Sequence, residues 1–166
     1  AAAMSARAIE LAGADQAKAS AAQEAAAFPD IFAKLLERFQ DDKWLRLGQA
    51  KYQASQHVAE SRFQKAIEVL TEALAVIADD IDLLNQRGSS YMKLAQWQSA
   101  CADYARVIEL ETDENRKRVA GRARAECSLR MGMSQQAADF FFGQMLLAPN
   151  DFSLANDAGV AMALSG

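Results

Sequence analysis

Small and large side chains recur in this chain at a fixed interval, and that interval restricts the fold more than any other feature. Gly88 is followed by Tyr91, Ala100, Tyr104 and Thr112, and Ala125 by Ser128, Ala137, Phe141 and Pro149. An earlier copy runs Ala54, His57, Ala66, Leu70 and Ala78. In each copy twelve residues separate the two small positions, four more reach the aromatic or leucine, and eight more reach the closing position. Ala66 and Ala100 lie 34 residues apart, as do Ala125 and Gly159, whereas Ala100 and Ala137 lie 37 apart. The three additional residues fit best in the polar stretch Thr112–Lys117. A period of this length marks a stack of supersecondary units, each covering an apolar face of its neighbour.

The unit itself reads as a pair of helices. Two prolines and eight glycines are sparse punctuation for 166 residues, which favours helices joined by short turns. Leu84, Tyr91, Met92 and Ala95 fall on one side of a first helix, and Trp97, Ala100, Tyr104 and Ile108 on one side of a second. Small residues at Gly88 and Ala100, and at Ala125 and Ala137, let paired backbones approach closely. Tyr91, Tyr104 and Phe141 fill the gaps between crossings.

With these residues in place the chain resembles the tetratricopeptide-repeat family, whose unit has 34 residues with a W-x2-L-G-x2-Y, A-x3-F, P pattern. The resemblance covers about Trp44 to Gly166. It implies an all-α, right-handed superhelical stack of antiparallel hairpins, with repeats near 47–80, 81–114 and 118–151 and a half repeat at 152–166. In the first repeat, Trp44, Leu47 and Gly48 match the opening motif, while Ala66, Leu70 and Ala78 imply a later start. A longer first helix reconciles the two, and the later register is preferred for packing. An Ala-rich helical segment, 1–29, precedes the repeat domain of 30–166. Pro29 and Asp30 mark a break and cap before Ile31, Phe32, Leu35, Leu36 and Phe39, a segment suited to cover the first repeat.

Charge and composition exclude several functions. A net charge of −4 and a pI near 5.1 argue against a general nucleic-acid binder. No window approaches the roughly 20 apolar residues of a membrane span. The segment Ala1–Ala27 holds 14 alanines without the apolar centre of a secretory signal, and Ala1–Ala3 ahead of Met4 read as a cloning remnant. Two cysteines, Cys101 and Cys127, cannot build a disulfide framework, so a cytoplasmic location is expected. Phosphate-binding glycine loops are missing. His57 is the only histidine, and Cys101 and Cys127 read as small buried side chains. Trp97 reads as core, and Met131, Met133, Met145 and Met162 as packing residues. No catalysis, metal or cofactor is expected.

One charged feature rises above the rest. Arg116, Lys117, Arg118, Arg122, Arg124 and Arg130 fall within 15 residues and, with Glu126, carry +5. Arg118, Arg122, Glu126 and Arg130 share a helical stripe at intervals of four. A solvated face explains such a stripe without any partner. The resemblance offers more: first helices of successive repeats line a concave groove that takes an extended peptide. On that reading Lys51, Asn85, Lys93, Arg118, Arg122 and Arg130 form a groove for an acidic segment of another protein. The carboxylate clamp of heat-shock co-chaperones is matched only by Lys51, since Ser55, Gln86, Val119 and Ala123 hold the other four positions. The alternative function is a co-chaperone or secretion-type chaperone gripping a client through Met92, Leu129 and Val160. The last helix, from Phe152, has no second helix to cover it. Partial exposure of Phe152, Leu154, Val160 and Met162, and self-association through them, is therefore expected.

Overall fold

The computed structural model describes residues 34–35, 37–38, 42–147, 150 and 152–165. Two compact units are present, 1–49 and 50–166. In the first, helical backbone at 34–35 and 37–38 is followed by the opening turns of helix α1, Lys43–Ala59. The Asp42 carboxylate accepts the backbone N–H groups of Trp44 (2.8 Å) and Leu45 (3.1 Å), which would otherwise lack partners at the helix start. Trp44 is 63% exposed, so it does not serve as the opening core residue of a repeat. The Ala-rich tract and the break at Pro29–Asp30 lie outside the described residues.

The second unit continues α1 and adds α2 (Phe63–Val76), α3 (Ile81–Lys93), α4 (Trp97–Leu110), α5 (Glu114–Arg130), α6 (Ser134–Leu147) and α7 (Phe152–Ser165). No strand occurs among the described residues. From α2 onward each helix packs on the next along the chain. Three-residue turns join α1 to α2, α3 to α4 and α5 to α6, so each pair is antiparallel.

Those three turns repeat one device. Ser61, Ala95 and Gly132 occupy the left-handed region with φ of 58°, 56° and 78°. Their separations, 34 and 37 residues, equal those of the small residues in the sequence. Immediately after each, an amide reaches back five residues: Arg62 to His57 (2.7 Å), Gln96 to Tyr91 (2.9 Å) and Met133 to Ser128 (2.8 Å). This closure satisfies helix-end carbonyls and reverses the chain at once. Only the third copy uses glycine, the residue for which a left-handed φ carries no steric cost.

Starts of α3 and α5 are capped alike. Asp80 accepts the N–H of Leu83 at 2.9 Å, and Asp113 that of Arg116 at 2.8 Å. The three additional residues of the long interval do not widen a loop. They extend α5 at its start, together with one residue taken from the preceding loop, which runs 111–113 against 77–80 before α3, making it 17 residues against 13 for α3. Helix α1 also has 17 residues, so the longer first helix expected for repeat one is present.

Small residues mark the crossings. Ala54, Ala66, Ala100 and Ala137 are completely buried. A Cβ built on Gly88 would lie 3.2 Å from the Tyr104 ring, tighter than an ordinary van der Waals contact. Further along, Ala125, Ala137, Ala138, Phe141, Leu154, Ala158 and Ala161 form one apolar cluster, with Leu129 and Phe140 against it. Leu154 is thus core, contrary to the exposure expected of it, because it sits on the side of α7 that covers α6. Phe152, Val160, Met162 and Leu164 are exposed by 85, 48, 50 and 61%. Trp97 is only half-buried: at the first position of α4 its ring lies 5.7 Å from the Arg130 guanidinium. His57, in the last turn of α1, is half-buried with its Nδ1 enclosed.

Candidate peptide-binding groove

Helices α1, α3, α5 and α7 open successive hairpins, and their charged side chains meet across the stack. The Lys51 ammonium on α1 lies 3.1 Å from Asp80 and 3.2 Å from Asp82 on α3. Burial pulls its pKa down, but the hydrogen bonds and charges of Asp80 and Asp82 together outweigh that and raise it. Asp82 also meets Arg116 on α5 at 3.2 Å, and Arg116 reaches the buried Glu111 at 3.0 Å. Glu111 in turn accepts the N–H groups of Thr112 (2.9 Å) and Asp113 (3.1 Å) through its other oxygen, fixing the corner before α5. Between α5 and α7, Arg122 donates to Ser153 at 2.7 Å and pairs with Asp157. Carboxylates therefore tie α1 to α3, α3 to α5 and α5 to α7.

The six residues singled out from sequence divide accordingly. Lys51 and Arg122 are held by carboxylates of the next first helix. Arg130 lies 3.9 Å from Glu126 and over Trp97, and stays exposed. Arg118 is exposed and donates to the neutral Asn115 at 3.2 Å. Lys93 is exposed at the end of α3, and Asn85 is half-buried one face along the same helix. Lys93 and Arg118 meet no carboxylate in any ion pair among the described residues. Lining a small cleft of about 180 Å³ between α5 and α7 are Arg122, Glu126, Leu129, Phe141, Asp157 and Val160.

Asp82 and Asp157 are the charged residues that sequence reasoning passed over. The signal was present: Lys51 to Asp82, Asp82 to Arg116 and Arg122 to Asp157 are separations of 31, 34 and 35 residues. Opposite charges one repeat apart on first helices are neighbours in a stack, whatever their distance in sequence.

No family model matches the sequence, and no curated protein is a significant match. Solved structures do match. The second tetratricopeptide-repeat domain of human RPAP3, determined in complex with the HSP70 peptide SGPTIEEVD, superposes with a TM-score of 0.61 at 19% identity. That match covers 72% of this chain and 98% of that domain. The chain has the tetratricopeptide-repeat fold. The MamA protein gives a TM-score of 0.63 at 18% identity, covering 81% of this chain and 70% of that one. A tetratricopeptide-repeat domain of yeast Sti1, in complex with an Hsp70 peptide, gives 0.57 at 17% identity over 73% and 97% of the two chains.

Within this tetratricopeptide-repeat fold the clamp positions do not assemble a carboxylate site. Lys51, the one matching residue, is already occupied by Asp80 and Asp82. Val119 is 70% exposed and, like Ala123, has no hydrogen-bonding group to offer from its side chain. No described helix is long and apolar enough to cross a membrane.

Proposed function

We propose that the chain is an interaction scaffold whose first helices hold an extended acidic segment of another protein. The observation that carries this reading is the exposed cations on those helices: Lys93, which meets no internal carboxylate, and Arg130, only 3.9 Å from the exposed Glu126, with Arg118 at the rim. Lys51 and Arg122 then act mainly as ties between repeats, with Asn85 as an amide donor and acceptor about two turns before Lys93 on α3. Support also comes from RPAP3 and Sti1 domains of the same fold, which are known as complexes with HSP70 peptides. The scaffold reading assigns no catalysis to the chain, and its two free cysteines fit work in the cytoplasm.

Fluorescence anisotropy with a labelled Glu-rich peptide tests it. Replacing both Lys93 and Arg130 with Ala should weaken binding by about tenfold or more, since a cation facing a ligand carboxylate is worth far more than a solvated one. Both side chains are exposed, so the melting temperature should stay at the parent value. Unchanged affinity in the double variant would leave the cations as a soluble face only. Arg122→Ala is unsuitable for this purpose, because it also releases Asp157 and Ser153 of α7.

A second reading, a chaperone that grips an apolar client, is favoured by one observation. Val160 is 48% exposed beside Leu129 and Phe141 in the α5–α7 cleft. Salt separates the two: the acidic-segment complex weakens as salt rises, and an apolar complex does not. The exposed side chains of α7 also support self-association of the chain. Sedimentation should show concentration-dependent dimers in the parent and a monomer when Met162 and Leu164 are both changed to Ser. A parent that stays monomeric at high concentration counts against this part of the reading.

A further inference from the structure

Helix α5 presents a second lined surface, distinct from the face that meets α7. Whereas Arg122, Glu126 and Leu129 point toward α7, Lys117, Gly121, Arg124 and Ser128 open between α4 and α6. Two lobes of about 370 and 390 Å³ share Ile108, Gly121, Arg124 and Phe140, forming one continuous groove. We propose that this groove is a separate binding site for a partner segment carrying two carboxylates with an apolar side chain between them.

Its floor is low because of three small residues, Gly121, Ala125 and Ser128, spaced at one and two turns of α5. Gly121 is the critical one. A Cβ there would stand 2.5 and 2.7 Å from the Phe140 ring, so any other residue would displace that ring from its place across α5. Phe140 and Leu147 of α6 and Ile108 of α4 supply apolar walls, and Leu147 is 80% exposed. A large aliphatic side chain left in water beside a formed groove is where an apolar anchor gains most.

Charge then selects the partner. Of the groove's carboxylates, Glu114 is paired with Lys117 at 3.1 Å, and Asp139 accepts the Gln135 amide at 2.9 Å. Arg118 bonds only the neutral Asn115, and Arg124 enters no ion pair among the described residues. Two guanidiniums thus border the lobe that holds Leu147, with no carboxylate to neutralise them. Six residues apart on α5, they are separated by about 9 Å along the axis at ~1.5 Å per residue and by about a third of a turn around it, and both border the same lobe. An extended segment covers about 10 Å in three residues. Acidic residues three apart, with an aliphatic side chain between them, match this layout, and Arg can grip each carboxylate through two hydrogen bonds.

The test is anisotropy with a labelled extended peptide bearing two such glutamates around a leucine. Arg124→Glu should weaken it by about tenfold or more, and Leu147→Ser several-fold. The Lys93→Ala, Arg130→Ala double variant should bind it like the parent. Arg124 and Leu147 are both exposed, so melting should be unchanged and the losses assignable to binding. Parent-like affinity in Arg124→Glu overturns the proposal. If only the Lys93 and Arg130 variant loses the peptide, the segment sits on the row of first helices: the scaffold reading stands and this site does not. Equal binding of a peptide with glutamines in place of the glutamates, or tighter binding of an oligouridylate, also overturns it.

Discussion

Asp103→Ala should cost the fold about 3 kcal/mol, measured as a drop in unfolding free energy in urea. Asp103 lies on α4 with its side chain 6% exposed, facing Arg87 on α3, which is 19% exposed. Arg87 grips it with two bonds, Nε to Oδ2 at 2.9 Å and Nη2 to Oδ1 at 2.7 Å. A third donor of the same guanidinium reaches Thr71 Oγ1 on α2 at 3.2 Å, and the group lies 5.8 Å from the Tyr91 ring. One side chain therefore joins three successive helices. Donation to Asp103 raises the Arg87 pKa above its ordinary value; arginine stays protonated even without that partner, so removing Asp103 leaves an unpaired charge. Breaking a buried pair typically costs about 3–5 kcal/mol; the lower end applies here because Arg87 retains some contact with water. Arg87→Met combined with Asp103→Leu should recover most of the loss, since neither charge is then left alone. A single-variant loss of less than about 1 kcal/mol would show that the pair is merely tolerated, as surface pairs are.

How much of this could be read from the chain depends on whether an interaction is local, periodic or long-range. Gly88, Ala100, Ala125 and Ala137 were legible because close helix crossings demand small residues, and the demand recurs at each repeat. The turns were half legible. Gly132 announces a left-handed residue, whereas Ser61 and Ala95 adopt the same φ without any local preference for it, held by the amide closure around them. A basic stripe on α5 was visible, but its neutralisation was not. Asp82 and Asp157 act from neighbouring first helices, and composition counts a charge without showing its partner. Leu154 and Phe152, two residues apart on one helix, face opposite ways, a distinction that only the contact of α7 with α6 decides. The groove between α4 and α6 escaped notice for a related reason. It depends on Phe140 lying across Gly121, two residues with no pattern in common.

The stability of the unit should fall steeply above pH 9, in two stages, and the residues responsible are Cys127 and Tyr104. Burial, with smaller effects from Cys101 and Glu126, pushes the Cys127 thiol from 9.0 up to about 11. Burial likewise pushes the Tyr104 phenol from 10.0 up to about 12, aided by Cys127, Asp103 and Glu126, and opposed by a hydrogen bond with Ser89. Both groups are thus neutral in the fold at a pH where the unfolded chain has already lost the proton. The unfolded state then binds fewer protons than the folded one, so unfolding free energy decreases as pH rises. The contribution from Cys127 is complete below pH 9 and lost as pH climbs to about 11; that of Tyr104 is complete below pH 10 and lost toward about 12. Each shift of about two units corresponds to roughly 2–3 kcal/mol, an order-of-magnitude figure. Urea titrations at a series of pH values should therefore show the parent losing stability from pH 9 onward. Cys127→Ala should remove the earlier stage, at a modest cost near neutrality from the small cavity it leaves. Tyr104→Phe keeps the ring against Gly88 and should remove the later stage. All other groups are common to the parent and both variants, so differences between the profiles isolate the two buried groups. Three superimposable profiles would mean that neither proton is held more tightly in the fold.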